Sequence, residues 1–99
     1  MIINFEDKFL LTNFNKIGKS FIERYWKKFQ IEQIAYRMYL CKNCLENRKC
    51  SMCECNPIDM IIEPFSCNKQ QIFPNVMNQL NWEEFKQKHN ITVENELHL

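Results

Sequence analysis

Six cysteines in a chain of 99 residues constrain the fold more than any other feature, because all of them fall in the middle of the sequence. They are Cys41, Cys44, Cys50, Cys53, Cys55 and Cys67, spaced C-x2-C-x5-C-x2-C-x-C-x11-C. A CxxC unit can present two thiolates to one ion, and two such units supply the four sulfurs of a tetrahedral zinc site. The pattern therefore predicts bound Zn²⁺ that holds a small fold together.

The spacing leaves the ligand set open. One arrangement uses the two CxxC units, Cys41 and Cys44 with Cys50 and Cys53. Another joins the first CxxC unit to two of the last three cysteines, and a third shares all six sulfurs between two ions. Because the histidines lie far down the chain, the sequence favours a closed, structural site over a catalytic one with an open position.

The start of the chain and its charge bear on compartment and partners. The first residues lack the basic and apolar regions of a secretory signal, so we expect synthesis in a reducing cytoplasm, where metal ligation is favoured over disulfides. No stretch approaches the roughly 18 apolar residues of a membrane span. With 13 Lys and Arg against 12 Asp and Glu, the formal net charge is +1, which argues against extensive nucleic-acid coating.

Residues 1–40 are predicted to form amphipathic helices, because apolar side chains recur at three- and four-residue spacing. The first set is Phe14, Ile17, Phe21, Ile22, Tyr25, Trp26 and Phe29, and the second is Ile31, Ile34, Ala35 and Met38. Gly18 indicates a break between helices. Ser20 and Glu23 fit a capping box that would begin the helix after it.

Two features of this helical segment have competing interpretations. Aromatic side chains are dense between residues 5 and 39, which fits either a small aromatic core or a helix face covered by another subunit. Lys27, Lys28 and Arg37 could form a phosphate-binding stripe, but the near-zero net charge favours an ordinary solvated helix face.

The C-terminal part predicts a short helix. Asn81 fits an N-cap followed by acidic residues, and the helix would continue to about His89. Trp82 and Phe85 would then share one face. This face could pack on the cysteine-rich module, but we favour an ordinary place in the core.

Alternating apolar and polar residues at 91–99 have the period of a strand. This strand would pair with residues 2–5 or with a partner's sheet, unless the terminus is frayed. The sequence thus predicts a small, mainly α, zinc-stapled domain in three segments. These are N-terminal helices at 1–40, a cysteine-rich zinc knuckle or ribbon at 41–67, and a short helix with an extended tail at 68–99.

A family resemblance rests on three stretches of the chain. They are Ala35-Tyr36-Arg37 leading into Cys41-x-x-Cys44, then Lys49-Cys50-x-x-Cys53-x-Cys55, then Pro64-Phe65-Ser66-Cys67. Over roughly residues 34–86 the chain resembles small zinc-ribbon-like proteins of tailed bacteriophages, in particular crAss-like phages of Bacteroidota. It departs from their pattern at Glu54, where they carry glycine, and this weakens the assignment of Cys53 and favours Cys55. The resemblance implies a phage setting, in the host cytoplasm during synthesis and in the virion for a particle component.

Two functional classes follow from these observations. The favoured one is a non-enzymatic, zinc-stabilised structural or interaction protein, an accessory subunit that docks on other protein subunits of an assembly such as a phage virion. The alternative is a small nucleic-acid-binding zinc-ribbon regulator, such as a phage transcription factor. It would need Lys42, Arg48 and Lys49 to gather with the N-terminal lysines on one face. Because no catalytic motif is present, we expect no enzyme activity, small-molecule substrate or membrane partner.

Overall fold

The computed structural model describes residues 1–47, 61–62 and 75–99, and most of these residues are helical. In chain order the elements are β1 (Ile2–Asn4), α1 (Lys8–Ile17), α2 (Lys19–Tyr25), α3 (Lys28–Leu40), α4 (Lys42–Asn47), α5 (Gln79–Lys88) and β2 (Thr92–Glu94). The predicted mainly α class is therefore confirmed for the described part of the chain. Within that part, no helix is both long and apolar enough to cross a bilayer.

The first two helices meet at the single glycine. The Asp7 carboxylate caps α1 by accepting a hydrogen bond from the Phe9 N–H at 2.9 Å. The Gly18 N–H donates to the Phe14 carbonyl at 3.0 Å, and its own carbonyl accepts from the Ile22 N–H at 3.2 Å. Gly18 has φ 104°, a conformation that residues with a Cβ rarely adopt. The predicted helix break at this residue is confirmed.

The predicted capping box of the second helix is wrong. α2 begins at Lys19 with Gly18 as its N-cap, and no side chain caps it. Because glycine lets the chain turn directly into a new helix, Ser20 already lies within the first turn. Its spacing to Glu23 matches a capping box in sequence, but Ser20 does not occupy the N-cap position in the structure.

α3 is the central helix and buries the second predicted apolar set. Ile34, Ala35 and Met38 are buried, and Ile31 is partly buried against the same core. α3 also buries polar side chains that the sequence did not indicate, Glu32, Gln33 and Arg37. This central helix therefore contributes part of the apolar core and carries the buried charges Glu32 and Arg37 among the described residues.

α5 packs its aromatic face against α3. Trp82 has no exposed surface, and its ring stacks on Phe85 with centroids 5.7 Å apart. Tyr36 of α3 contacts both rings, at 5.9 and 5.6 Å. The prediction that the two residues share one face is confirmed, with Trp82 buried and Phe85 partly buried. Besides Tyr36, the described ring contacts of Phe85 include His89, with centroids 4.2 Å apart.

The start of α5 differs from the prediction. Asn78, not Asn81, is the N-cap, and its side chain accepts a hydrogen bond from the Asn81 N–H at 2.8 Å. The helix begins at Gln79, so Asn81 lies in its first turn. Both asparagines suit an N-cap by residue type, and the position at which the extended chain enters the helix decides between them. The predicted end of the helix near His89 is confirmed.

The two ends of the chain form one parallel pair of strands. β1 and β2 align Ile2 with Thr92, Ile3 with Val93 and Asn4 with Glu94. Ile3 and Ile91 are buried at this pair, and Leu97 and Leu99 pack partly against the core beyond it. Of the alternatives for the C-terminal strand, pairing with residues 2–5 of the same chain is the one observed.

Candidate metal centre

Of the six predicted zinc ligands, only Cys41 and Cys44 lie in the part of the chain that the structure describes. Cys41 lies between α3 and α4 and is buried, with 6% of its surface exposed. The backbone of Cys44 is part of α4. The other predicted ligands, Cys50, Cys53, Cys55 and Cys67, lie outside the described residues. Within the described part, no three His, Cys, Asp or Glu side chains come together as a metal site. Zinc ligation by the six cysteines stays a prediction.

The first CxxC unit lies at a junction of two helices rather than in an isolated tight turn. The Cys41 N–H donates to the Arg37 carbonyl at 3.0 Å, which completes the last turn of α3. The Cys41 carbonyl accepts from the Leu45 N–H at 3.0 Å, which begins the first turn of α4. Cys41 is thus fixed by backbone hydrogen bonds on both sides. Burial of Cys41 is compatible with a structural zinc ligand, because structural zinc sites are closed to solvent ligands.

Arg37 lies beside this junction and is almost completely buried, with 2% of its surface exposed. Its guanidinium Nη1 donates to the carbonyl oxygen of Ile61 at 3.0 Å. Burial lowers the pKa of Arg37 to about 10, and the negative charge of Cys41 acts in the opposite direction, favouring the charged guanidinium. The prediction of a solvated face is therefore wrong for Arg37, although Lys27 and Lys28 are exposed.

A second buried charge cluster joins α3 to α5. The Glu32 carboxylate accepts hydrogen bonds from the Trp82 Nε1–H at 3.0 Å and from the Lys86 Nζ at 2.7 Å. Lys86 also pairs with Glu83 at 3.1 Å. Burial works to lower the pKa of Lys86, but the hydrogen bonds to the two carboxylates outweigh it and raise the pKa. Sequence reasoning missed this cluster. The only local signal was the four-residue spacing of Trp82 and Lys86, which places both on one side of α5.

The aromatic residues divide between core and surface. Phe5 and Phe14 are buried, whereas Phe21 is 40% and Tyr25 60% exposed. Phe21 contacts both Tyr25 and Trp26, with ring centroids 5.0 and 5.4 Å apart. We call Phe21, Tyr25 and Trp26 the α2 aromatic surface. Trp26 packs partly against the core, so the small aromatic core explains the buried rings and this one but leaves Phe21 and Tyr25 largely exposed.

Comparisons with known proteins give no relative: no family model matches the chain, and neither a curated protein nor a solved structure is significantly similar to it.

Proposed function

We propose that this chain is a non-enzymatic, zinc-stabilised interaction protein, an accessory subunit that docks on other proteins of a larger assembly. The α2 aromatic surface is the observation that carries this proposal. Two large rings stay substantially exposed on one short helix although the chain buries other aromatics in its core. Exposed clustered aromatics are typical of interface centres, where they supply large contact area at low entropic cost.

The zinc part of the proposal rests on the cysteine spacing and on the environment of Cys41. A chain of 99 residues buries a limited core, and a structural metal is a common way to stabilise such a fold. Cys41 is buried at the junction of α3 and α4, as a structural ligand would be. The other sulfurs would come from the remaining members of the predicted set.

The proposed assembly is a phage particle, and this rests on the resemblance to zinc-ribbon-like proteins of crAss-like phages. The formal net charge of +1 supports a protein partner more than a nucleic-acid partner. The burial of Arg37 removes one cation from the stripe that a nucleic-acid regulator would need. Four thiolates and one Zn²⁺ would add a local charge of about −2, which also disfavours contact with phosphates.

Co-purification with mature particles tests the assembly proposal. The protein is followed through a density gradient of virions from cells that express it during infection. We expect it in the particle fraction, and we expect Phe21→Ser with Tyr25→Ser to move it to the free fraction. Leu80→Ser is the matched control, because Leu80 is 68% exposed but lies on α5. The proposal fails if the protein is absent from particles and instead binds DNA in a salt-dependent manner.

Metal analysis with thiol titration tests the zinc proposal separately. The purified protein is expected to contain about one zinc per chain and about four thiols that resist modification until a chelator is added. A native protein in which all six thiols react at once would contradict it.

A further inference from the structure

The segment that follows β2, residues 96–99, is held to the described fold by few contacts. Leu97 and Leu99 are partly buried and pack against the core, whereas Glu96 and His98 are exposed. Within the part of the chain that the structure describes, no hydrogen bond involves any of these four residues. Two apolar side chains are therefore the main attachment of this segment, which we call the leucine strap.

The groove beneath the leucine strap is incompletely filled. Leu97 and Leu99 line a cavity of about 250 Å³, and Ile22, Trp26 and Ile31 supply the rest of its apolar lining. Leu97 and Ile31 also line a second cavity, of about 230 Å³. Atoms that border empty space lose the dispersion contacts of a close-packed interior. The groove therefore has room for larger apolar side chains than the two leucines.

The chain enters the strap through Asn95, which has an unusual backbone conformation. Its φ of 63° lies in the left-handed region, which asparagine tolerates better than most residues with a Cβ. Its Nδ2 donates to the Oδ1 of Asn4 at 2.9 Å, which ties this turn to β1. β2 ends at Glu94, so the strand pairing stops before the strap begins. A change of backbone conformation after Asn95 can therefore move the strap and leave the strand pair intact.

We infer that the leucine strap is a removable cover on a docking groove, and that a partner protein displaces it with an extended segment carrying larger apolar side chains at alternate positions. This inference rests on the docking role proposed above. Leu97 and Leu99 show the spacing that the groove accepts, and the unfilled cavities favour a competitor with more apolar surface. Trp26 belongs to both the groove and the α2 aromatic surface, so a partner that covers one also reaches the other.

The test measures binding of a synthetic peptide to the full chain with the strap intact and with the strap disabled. The peptide has the sequence of residues 94–99 with phenylalanine in place of both leucines. Leu97→Ser with Leu99→Ser disables the strap but leaves Ile22, Trp26 and Ile31 unchanged. His98→Ser is the matched control, because His98 belongs to the strap but is exposed.

NMR titration of the two tryptophan indole N–H signals gives both the affinity and the location of binding. Trp26 lines the groove, whereas Trp82 does not line it and donates its indole N–H to Glu32. We therefore expect the peptide to shift the Trp26 signal and not the Trp82 signal. The double variant should bind the peptide about 10-fold more tightly than the wild type, which is the ratio for a strap that is open in about one chain in ten. His98→Ser should match the wild type.

The outcomes separate this inference from the proposed function. Equal affinity of the wild type and the double variant for the peptide refutes the inference, and so does the lack of a shift at Trp26 in the double variant. Absence of the wild-type protein from virions refutes the proposed assembly role instead, and the peptide affinities still decide whether the strap covers a groove. If the double variant does not fold, Leu99→Ser alone decides by the same comparison: tighter binding than in the wild type supports the inference, and equal binding overturns it.

Discussion

The buried pair of Glu32 and Lys86 gives the sharpest test of how the described core is held together. Their side chains are 5% and 14% exposed, and the carboxylate-to-ammonium distance is 2.7 Å. Lys86→Met keeps an unbranched side chain of similar length but removes the ammonium. The Glu32 carboxylate then stays buried with the Trp82 N–H and no paired cation.

The magnitude follows from the distance and the burial. At an effective dielectric constant of about 20, charges 2.7 Å apart attract by about 6 kcal/mol, and the cost of burying them offsets much of this gain. Breaking a buried pair by removing one partner typically costs about 3–5 kcal/mol. Because Lys86 retains some contact with water, we expect a loss near the lower end, about 3 kcal/mol. For a domain of this size, that corresponds to a fall in melting temperature of about 12–24 °C.

Urea unfolding followed by circular dichroism measures this loss as a change in the free energy of unfolding. Lys88→Met is the control, since Lys88 lies in the last turn of the same helix and is exposed. It should change stability by no more than about 0.5 kcal/mol. Adding Glu32→Gln to Lys86→Met should restore part of the loss, because no unpaired charge then remains. If Lys86→Met costs no more than Lys88→Met, the buried-pair reasoning is refuted.

Further predictions concern single residues and the metal. Burial and the hydrogen bond to Asp7 raise the pKa of Tyr39 to about 12, so the stability that neutral Tyr39 contributes is full below the unfolded value near 10 and is lost as pH rises towards 12. Urea unfolding should therefore show a smaller fall in the free energy of unfolding over this pH range in Tyr39→Phe than in the wild type. Equal falls in the two proteins would contradict the prediction. A Cβ added at Gly18 has no other atom within 4 Å, so Gly18→Ala tests backbone strain without a steric clash. We expect it to lower the free energy of unfolding by about 1–3 kcal/mol, and no change would exclude that strain. Asn78→Ala should cost about 1 kcal/mol of unfolding free energy by removing the cap on the Asn81 N–H, whereas Asn81→Ala should cost less. Removing the proposed zinc with a chelator should lower the melting temperature and expose thiols together, and a melting temperature insensitive to chelator would count against a structural metal.

Local pattern was enough to locate much of the helical structure. The spacing of Ile34, Ala35 and Met38 predicts the buried face of α3, because a helix brings residues three and four apart to one side. The same geometry places Trp82 and Phe85 together. Gly18 could be identified as a break from its residue type. Cysteine spacing predicts a metal centre, since the chemistry of that motif is encoded by neighbours in sequence.

Helix starts and strand pairing were less determined by sequence. Asn78 and Asn81 are equally good N-caps by residue type, and the path of the preceding chain selects Asn78. Alternation at 91–99 predicts a strand but gives several possible partners. The fold selects the parallel pairing with β1, because it brings the two chain ends together over one core.

The sequence by itself indicated most of the helical segments and where the cysteines are concentrated, because these properties depend on residues a few positions apart. Only the tertiary structure decided which charges are buried. Nothing in the sequence around Glu32 and Arg37 indicates burial. In the structure, the Glu32 carboxylate accepts hydrogen bonds from Trp82 and Lys86 of α5, and Arg37 donates one to the Ile61 carbonyl. A charged side chain can leave water only when a distant part of the chain supplies the lost hydrogen bonds and an opposite charge.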